Sequence, residues 1–353
     1  GTLTNASAGA NSTFTLNIED DDFGRVGPGG VGAQFNNVLG LRADAGLEDA
    51  SGNAPGNGDR VQIWRDQSGN NADVSAPSSS ERPFFRSSRG GSVDFENGSY
   101  YLTGSSVITG GTGRTFFSVI QPSVFDPNSS NNCAWGLAPN NSNDGEGYGL
   151  FVEEPGSSSG LGLRVQGNKL MDYTTDGFTN AGLTNDPFII GGSSALNDPV
   201  TATDFYLNGV TLTDVATQSN APPSLNTNAA GIALGGYDTD GSFSNGFNNS
   251  FDFNGDIYEF IVFEAELNSV RRNIIENYLS AKYDIALSGN DRYAGDESTN
   301  GDYDDDVIGI GRASASDLHE AAEGGELIFQ VNSGLDNGDY LFAGHNGQEG
   351  GNT

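Results

Sequence analysis

Short apolar runs separated by Gly, Asn, Ser, Thr and Asp recur along almost the whole chain. In Leu161-Gly162-Leu163-Arg164-Val165-Gln166 the leucines and Val165 fall on one face, with Arg164 and Gln166 opposite. In Asp204-Phe205-Tyr206-Leu207-Asn208, Phe205 and Leu207 share a face. Alternation of this kind belongs to strands with one packed and one wet face. The same reading predicts strands at 61–64, 92–95, 115–121, 147–152, 188–191 and 231–235. Asn208-Gly209 and Gly167-Asn168 suit two-residue hairpin turns, whose central positions both need positive φ. The run 256–263 is apolar on both faces, which predicts a central strand between two layers.

The period changes at Asn268. Val270, Ile274, Tyr278 and Leu279 follow at helical spacing, with Ile275 alongside. Asn268 is the expected N-cap, and Arg272 and Glu276 form an i,i+4 pair. An acidic stretch then leads into further strands at 307–311, 326–331 and 339–343.

Four runs in this order, Leu39-Gly40-Leu41-Arg42-Ala43-Asp44, Trp64-Arg65-Asp66-Gln67-Ser68-Gly69-Asn70, Tyr206-Leu207-Asn208-Gly209-Val210 and Gly255-Asp256-Ile257-Tyr258-Glu259-Phe260-Ile261-Val262-Phe263, precede the helix. The chain thereby resembles the laminin-G-like, concanavalin A-like domains of large bacterial surface proteins. The resemblance implies an all-β, two-sheet antiparallel jelly-roll sandwich with one amphipathic helix, closed near Tyr278-Leu279-Ser280-Ala281-Lys282-Tyr283-Asp284. Thr13-Phe14-Thr15-Leu16-Asn17-Ile18, ending in Glu19-Asp20-Asp21-Asp22, resembles the last strand of a Calx-β domain, whose terminal acidic run ligates calcium. The expected organisation is a Calx-β remnant at 1–22, a Gly-rich linker at 23–32, the jelly roll with its helix at 33–284, and an incomplete β module at 285–353.

The net charge of -32, with lysine only at positions 169 and 282, removes nucleic acid as a partner, because phosphate binding needs a cationic face. No apolar run is long enough to insert in a membrane. A single cysteine, Cys133, permits no internal disulfide and reads as a small buried residue. The chain has no initiator Met or leader, so it reads as a portion of a longer secreted or cell-surface bacterial protein, with neighbouring domains of the same chain as contacts.

No catalytic set emerges. The Glu-x-Asp-x-x-Glu run of laminarinase-like sandwiches is missing, and Asp256 and Glu259, three apart in a regular strand, are expected on opposite faces. Neither His319 nor His345 lies in a hydrolase or metalloprotease pattern. Both read as ordinary core or surface residues.

Calcium is the expected cofactor, since hard cations take carboxylate oxygens. The candidate ligands are Asp20, Asp21 and Asp22, then Asp238 and Asp240 in Asp238-Thr239-Asp240-Gly241, then Asp66 and Asn70. For the last pair, an Asx-type turn bonded to the local backbone is the competing reading.

Sugar binding needs exposed aromatic platforms beside hydrogen-bonding groups. Tyr148 and Tyr237 lead, with Tyr173, Tyr101 and Tyr100 also in polar or Gly-rich settings, while Trp64 and Trp135 read as core. The expected function is a non-catalytic, calcium-stabilised module that binds a glycan or polysaccharide in adhesion. The alternatives are a structural spacer without ligand and a polysaccharide-degrading enzyme.

Overall fold

In the computed structural model the described residues are 16–17, 27–32, 35–95, 100–123, 132–137, 147–152, 161–166, 171–174, 186–199, 202–212, 216–217, 224–236, 252–324, 327–331 and 334–347. The fold is an all-β, two-sheet antiparallel sandwich with a helix packed outside it. Among the described residues every strand pair is antiparallel. One sheet has ten strands, from Ala216–Thr217 at one edge through Met171–Thr174, Leu161–Gln166, Gly147–Val152 and Asn132–Leu137 to Ile232–Leu234, Leu102–Gly104, Val74–Ser75, Ile63–Trp64 and Leu47–Glu48. The facing sheet runs from Val210–Thr211 through Asp204–Leu207, Phe188–Ser194 and Arg114–Pro122 to Gly255–Phe263. Beyond Gly255–Phe263, Ser92–Asp94 pairs with its first half and Asn37–Arg42 with its second.

The predicted alternation places the core between these sheets. Trp135 stacks on Phe260 with centroids 4.7 Å apart and meets Phe116 edge-on at 4.8 Å, while its indole N–H donates to Ser118 Oγ at 2.7 Å. Trp64 is fully buried, and its indole donates to the Arg42 carbonyl at 2.9 Å. Each ring thus buries a large apolar area without stranding its polar atom. Cys133 is buried, its thiol donating to the Trp135 carbonyl at 3.3 Å.

The second sheet is packed on both faces. Ile257, Phe260 and Val262 belong to the sandwich core, whereas Tyr258, Ile261 and Phe263 meet Val270, Ile274, Tyr278 and Leu279 of the helix Ser269–Tyr283. Asn268 caps that helix, its side chain accepting from the Arg271 N–H at 3.0 Å. Asn208 and Gly209 both have positive φ, 43° and 80°, as the hairpin between Asp204–Leu207 and Val210–Thr211 requires.

Two features join the flanking segments to the sandwich. The Gly-rich segment read as a linker is in part a packed turn. Gly29 has φ 67°, and a Cβ there would stand 2.9 Å from Ile274 Cγ2; a Cβ on Gly30 would stand 2.5 Å from Ala322 Cβ. Glycine lets this turn fit between the helix and the C-terminal strands. The flanks also join: Leu16–Asn17 pairs antiparallel with Leu327–Gln330, which pairs with Ala321–Gly324. A second small sheet, Leu318–His319, Asp305–Arg312 and Tyr340–His345, packs on the helix.

Candidate functional site

The strand Gly255–Phe263 carries a β-bulge. Ile257 pairs with Ile120 and Glu259 with Val119, so Tyr258 is an extra residue. An extra residue breaks strict alternation and sets two successive side chains on one face. Tyr258 and Glu259 therefore both lie on the helix side. Asp256 lies there too, accepting from Ser92 Oγ at 2.6 Å. The expectation that Asp256 and Glu259 point to opposite faces fails for this reason.

Glu259 is 1% exposed. Its carboxylate accepts from Tyr283 Oη at 2.8 Å, Tyr278 Oη at 3.1 Å and Lys282 Nζ at 2.8 Å. Lys282 also reaches Asp44 at 3.0 Å, and Arg42 lies 3.4 Å from the same Asp44 oxygen. Burial, then the charge of Glu259, pushes the Tyr278 hydroxyl up to about 12 and the Tyr283 hydroxyl well above its ordinary value. Lys282 and the two tyrosine hydroxyls satisfy Glu259, Asp256 is engaged with Ser92, and Arg42 Nε is buried beside Asp44 without a hydrogen bond.

The helix ends in a different environment. Asp284, in a left-handed conformation (φ 52°), closes it. Asp284, Asp291, Asp296, Glu297, Asp302 and Asp304 line a cleft of about 570 Å³, with Ser280 and Ser298. Burial, then Asp291 and Asp304, pushes the Asp296 carboxyl up to about 6. Burial, then Asp302 and Asp305, also raises Asp304, whose Oδ1 is buried without a hydrogen-bond partner. Six acids around one opening repel one another, and a proton or a cation relieves that repulsion. Among the described residues, no three His, Cys, Asp or Glu side chains converge as a ready-made metal ligand set.

The sugar and metal candidates separate sharply. Tyr148 is 1% exposed, edge-on to Phe116 at 6.2 Å, with Arg114 above its ring at 5.2 Å. Tyr101 is 5% exposed. Neither offers a ring face to a sugar, because both side chains are buried inside the protein. Tyr173 falls in the strand Met171–Thr174, but its side chain lies outside the described residues, as do Tyr237, Asp20, Asp21, Asp22, Asp238 and Asp240.

Asp66 is a turn former. Its Oδ1 accepts from the Gly40 and Ser68 N–H groups, each at 2.9 Å, and its Oδ2 accepts from Ser68 Oγ at 2.7 Å and Ala72 N–H at 3.1 Å. Asn70 donates to the Asn37 carbonyl at 2.8 Å and to Ser68 Oγ at 2.9 Å. Asp66 thus forms the Asx turn, with its carboxylate lone pairs taken, whereas Asn70 ties the loop to the distant Asn37 carbonyl.

Arg272 and Glu276 do not join. Arg272 donates to the Leu267 carbonyl at 2.6 Å and lies over the Tyr206 ring at 4.6 Å. Glu276 is buried with Oε1 unpartnered, and burial pushes it up to about 8. His319 is buried edge-on to Phe35, and burial, then Arg271, pushes it down to about 4. His345 is exposed, 2.9 Å from Asp306.

Sequence reasoning missed one further group. Arg60 lies 3.8 Å over the Phe84 ring and 4.5 Å over the Tyr100 ring, beside Arg82 and Arg86. These residues are far apart in the chain, and only the meeting of the two sheets at this flank brings them together. The enrichment in arginine between 82 and 89 was the available signal.

These features define an antiparallel β-sandwich with a filled interior, whose open chemistry lies on its rim. No family model matches the chain, and no curated protein does. Solved structures give distant likenesses. A botulinum neurotoxin type C structure, described with cell entry dependent on two ganglioside molecules, has a TM-score of 0.45 and 14% identity over 69% of this chain and 51% of that one. The botulinum neurotoxin serotype D binding domain has a TM-score of 0.46 and 15% identity over 69% and 51%. A botulinum neurotoxin DC binding domain in complex with rat synaptotagmin II has 0.40 and 14% over 69% and 52%. The chain spans about half the length of these proteins, and likeness at this level carries no argument about ligand or mechanism.

Among the described residues, no helix is long and apolar enough to cross a membrane.

Proposed function

We propose that the chain is a non-catalytic, calcium-stabilised glycan-binding module of the laminin-G-like kind, acting in adhesion from a secreted or surface-anchored protein. The observation that carries the non-catalytic part is the state of the buried carboxylates. Glu259 is enclosed by Lys282, Tyr278 and Tyr283, and Asp94 is held by Arg86 at 2.7 Å. Glycoside hydrolysis needs two carboxyl groups about 5–10 Å apart in one groove open to substrate. Glu259 and Asp94, spent on internal partners, do not supply that, and the acids that share the cleft beside Asp284 are assigned to a cation instead.

The acidic cleft beside Asp284 supports the calcium part. Its donors are all oxygen, the preference of a hard cation, and Asp304 keeps a buried oxygen without a partner. A spacer role is the second reading. It is favoured by the pairing of Leu16 with Phe329, which ties the two flanks to each other.

The test is a glycan array probed with and without calcium, run beside thermal melting with calcium and with a chelator. Saturable binding to at least one polysaccharide and a higher midpoint with calcium support the proposal. Calcium-raised melting with an array blank throughout favours the spacer. A midpoint indifferent to calcium removes the cation from the account.

A further inference from the structure

Positive charge is scarce in this chain. The chain has 47 acidic side chains against 15 Lys and Arg, so a guanidinium would be expected to find a carboxylate. Four arginines gather on the flank where 60–64 crosses from the edge strand Phe84–Arg86 of one sheet to Ile63–Trp64 of the other. Arg86 is paired with Asp94, and Arg89 reaches Asp186 at 3.4 Å. Arg60 and Arg82 have no carboxylate partner among the described residues.

Both are nonetheless held in place. Phe84 and Arg86 share the outward face of their strand, while Phe85 packs against the sandwich core. Arg60 pairs across from Phe84, with its guanidinium between the Phe84 and Tyr100 rings, which meet edge-on at 5.6 Å. Arg60 Nη1 donates to the Arg82 carbonyl, and Nη2 donates to Tyr100 Oη at 3.3 Å. Arg82 Nε donates to Gln62 Oε1. An arginine carries five N–H donors. Among the described residues, Arg60 therefore keeps three and Arg82 four; both side chains are half-buried, Arg60 held by two rings and a backbone carbonyl and Arg82 by the Gln62 amide. A planar, preorganised guanidinium with free donors matches a carboxylate in bidentate fashion, and little rotamer freedom is left to lose on binding.

We propose that this flank, framed by Arg60, Arg82, Phe84 and Tyr100, is the subsite for an acidic polysaccharide whose sugar units carry carboxylates. The proposal rests on the glycan-binding reading and names its ligand class. The overall charge does not forbid it, because at physiological salt charges are screened beyond about 8 Å, so one or two uronate units sense the local guanidiniums first. The negative remainder of the surface confines such a polymer to this flank.

The experiment is affinity electrophoresis of the full chain at physiological salt in gels containing polygalacturonate, neutral dextran or polyglutamate, with a glycan array alongside. Polygalacturonate is expected to retard the protein, and dextran and polyglutamate to leave it unshifted. The double variant R60Q/R82Q is expected to weaken that retardation by about tenfold or more, with its melting midpoint kept. Should the loss of Arg60 compromise folding, R82Q alone carries the test, with a severalfold loss expected. Undiminished retardation of R82Q and the double variant overturns the assignment. Equal retardation by polyglutamate overturns the saccharide and leaves a general anion site. Binding to neutral glycans alone overturns this subsite while the glycan-binding reading stands, and an array blank throughout overturns both.

Discussion

Lys282 Nζ stands 2.8 Å from Glu259 Oε2, joining one of the chain's two lysines to a carboxylate that is 1% exposed. Removing one partner leaves the other buried and uncompensated, which costs about 3–5 kcal/mol. Lys282→Met and Glu259→Gln are each expected to destabilise in that range in chemical denaturation. The double variant is expected to cost less than the two singles summed, because the stranded charge is gone.

Tyr148 separates core from binding surface. Its hydroxyl is buried without a hydrogen-bond partner, and burial raises its pKa. Tyr148→Phe is expected to be neutral or slightly stabilising, and Tyr148→Ala to cost about 3–5 kcal/mol. Glycan affinity of the Phe variant should equal that of the parent; a selective loss of binding at unchanged stability would return Tyr148 to the ligand site.

Two buried groups set opposite pH responses. His319 is pushed down to about 4, so the unfolded chain binds the extra proton, and its contribution is lost as pH falls from about 6.5 to 4. Glu276 is pushed up to about 8, so its contribution is present at low pH and is lost as pH rises from about 4.5 to 8. Measured as variant minus parent, His319→Phe should gain stability on acidification through the first window, by up to about 3 kcal/mol. Glu276→Gln should gain on alkalinisation through the second, by up to about 5 kcal/mol. Urea titrations across pH 4–9 check both; parallel curves for variant and parent would remove the buried-charge account.

Asp296→Asn and Asp304→Asn reduce the repulsion in the cleft beside the helix end. Both are expected to raise the melting midpoint in chelator and to shrink the increase that calcium gives the parent. Asp66→Asn should leave the calcium response unchanged and lower the midpoint in either condition, since Asp66 is spent on its own turn.

Much of the fold was legible because each signal was local. Period-two alternation located strands such as Asp204–Leu207, Asn268 marked the helix start, and the two tryptophans belonged to the core. The site was less legible for three physical reasons. The bulge at Tyr258 left no mark in a run that is apolar on both faces, so the side of Glu259 was misjudged. Glycines around Tyr148 suggested a loop rim, whereas Gly147–Val152 is an interior strand paired on both sides. The Arg60 flank draws on residues as distant as 60 and 100, which no spacing rule joins.

The enclosure of Lys282 has a practical corollary. Its side chain is 13% exposed and its ammonium is tied to Glu259 and Asp44, so acylating reagents meet a shielded amine there. Its modification rate becomes a built-in gauge of how often the helix lifts from the sheet, readable by mass spectrometry without an added probe.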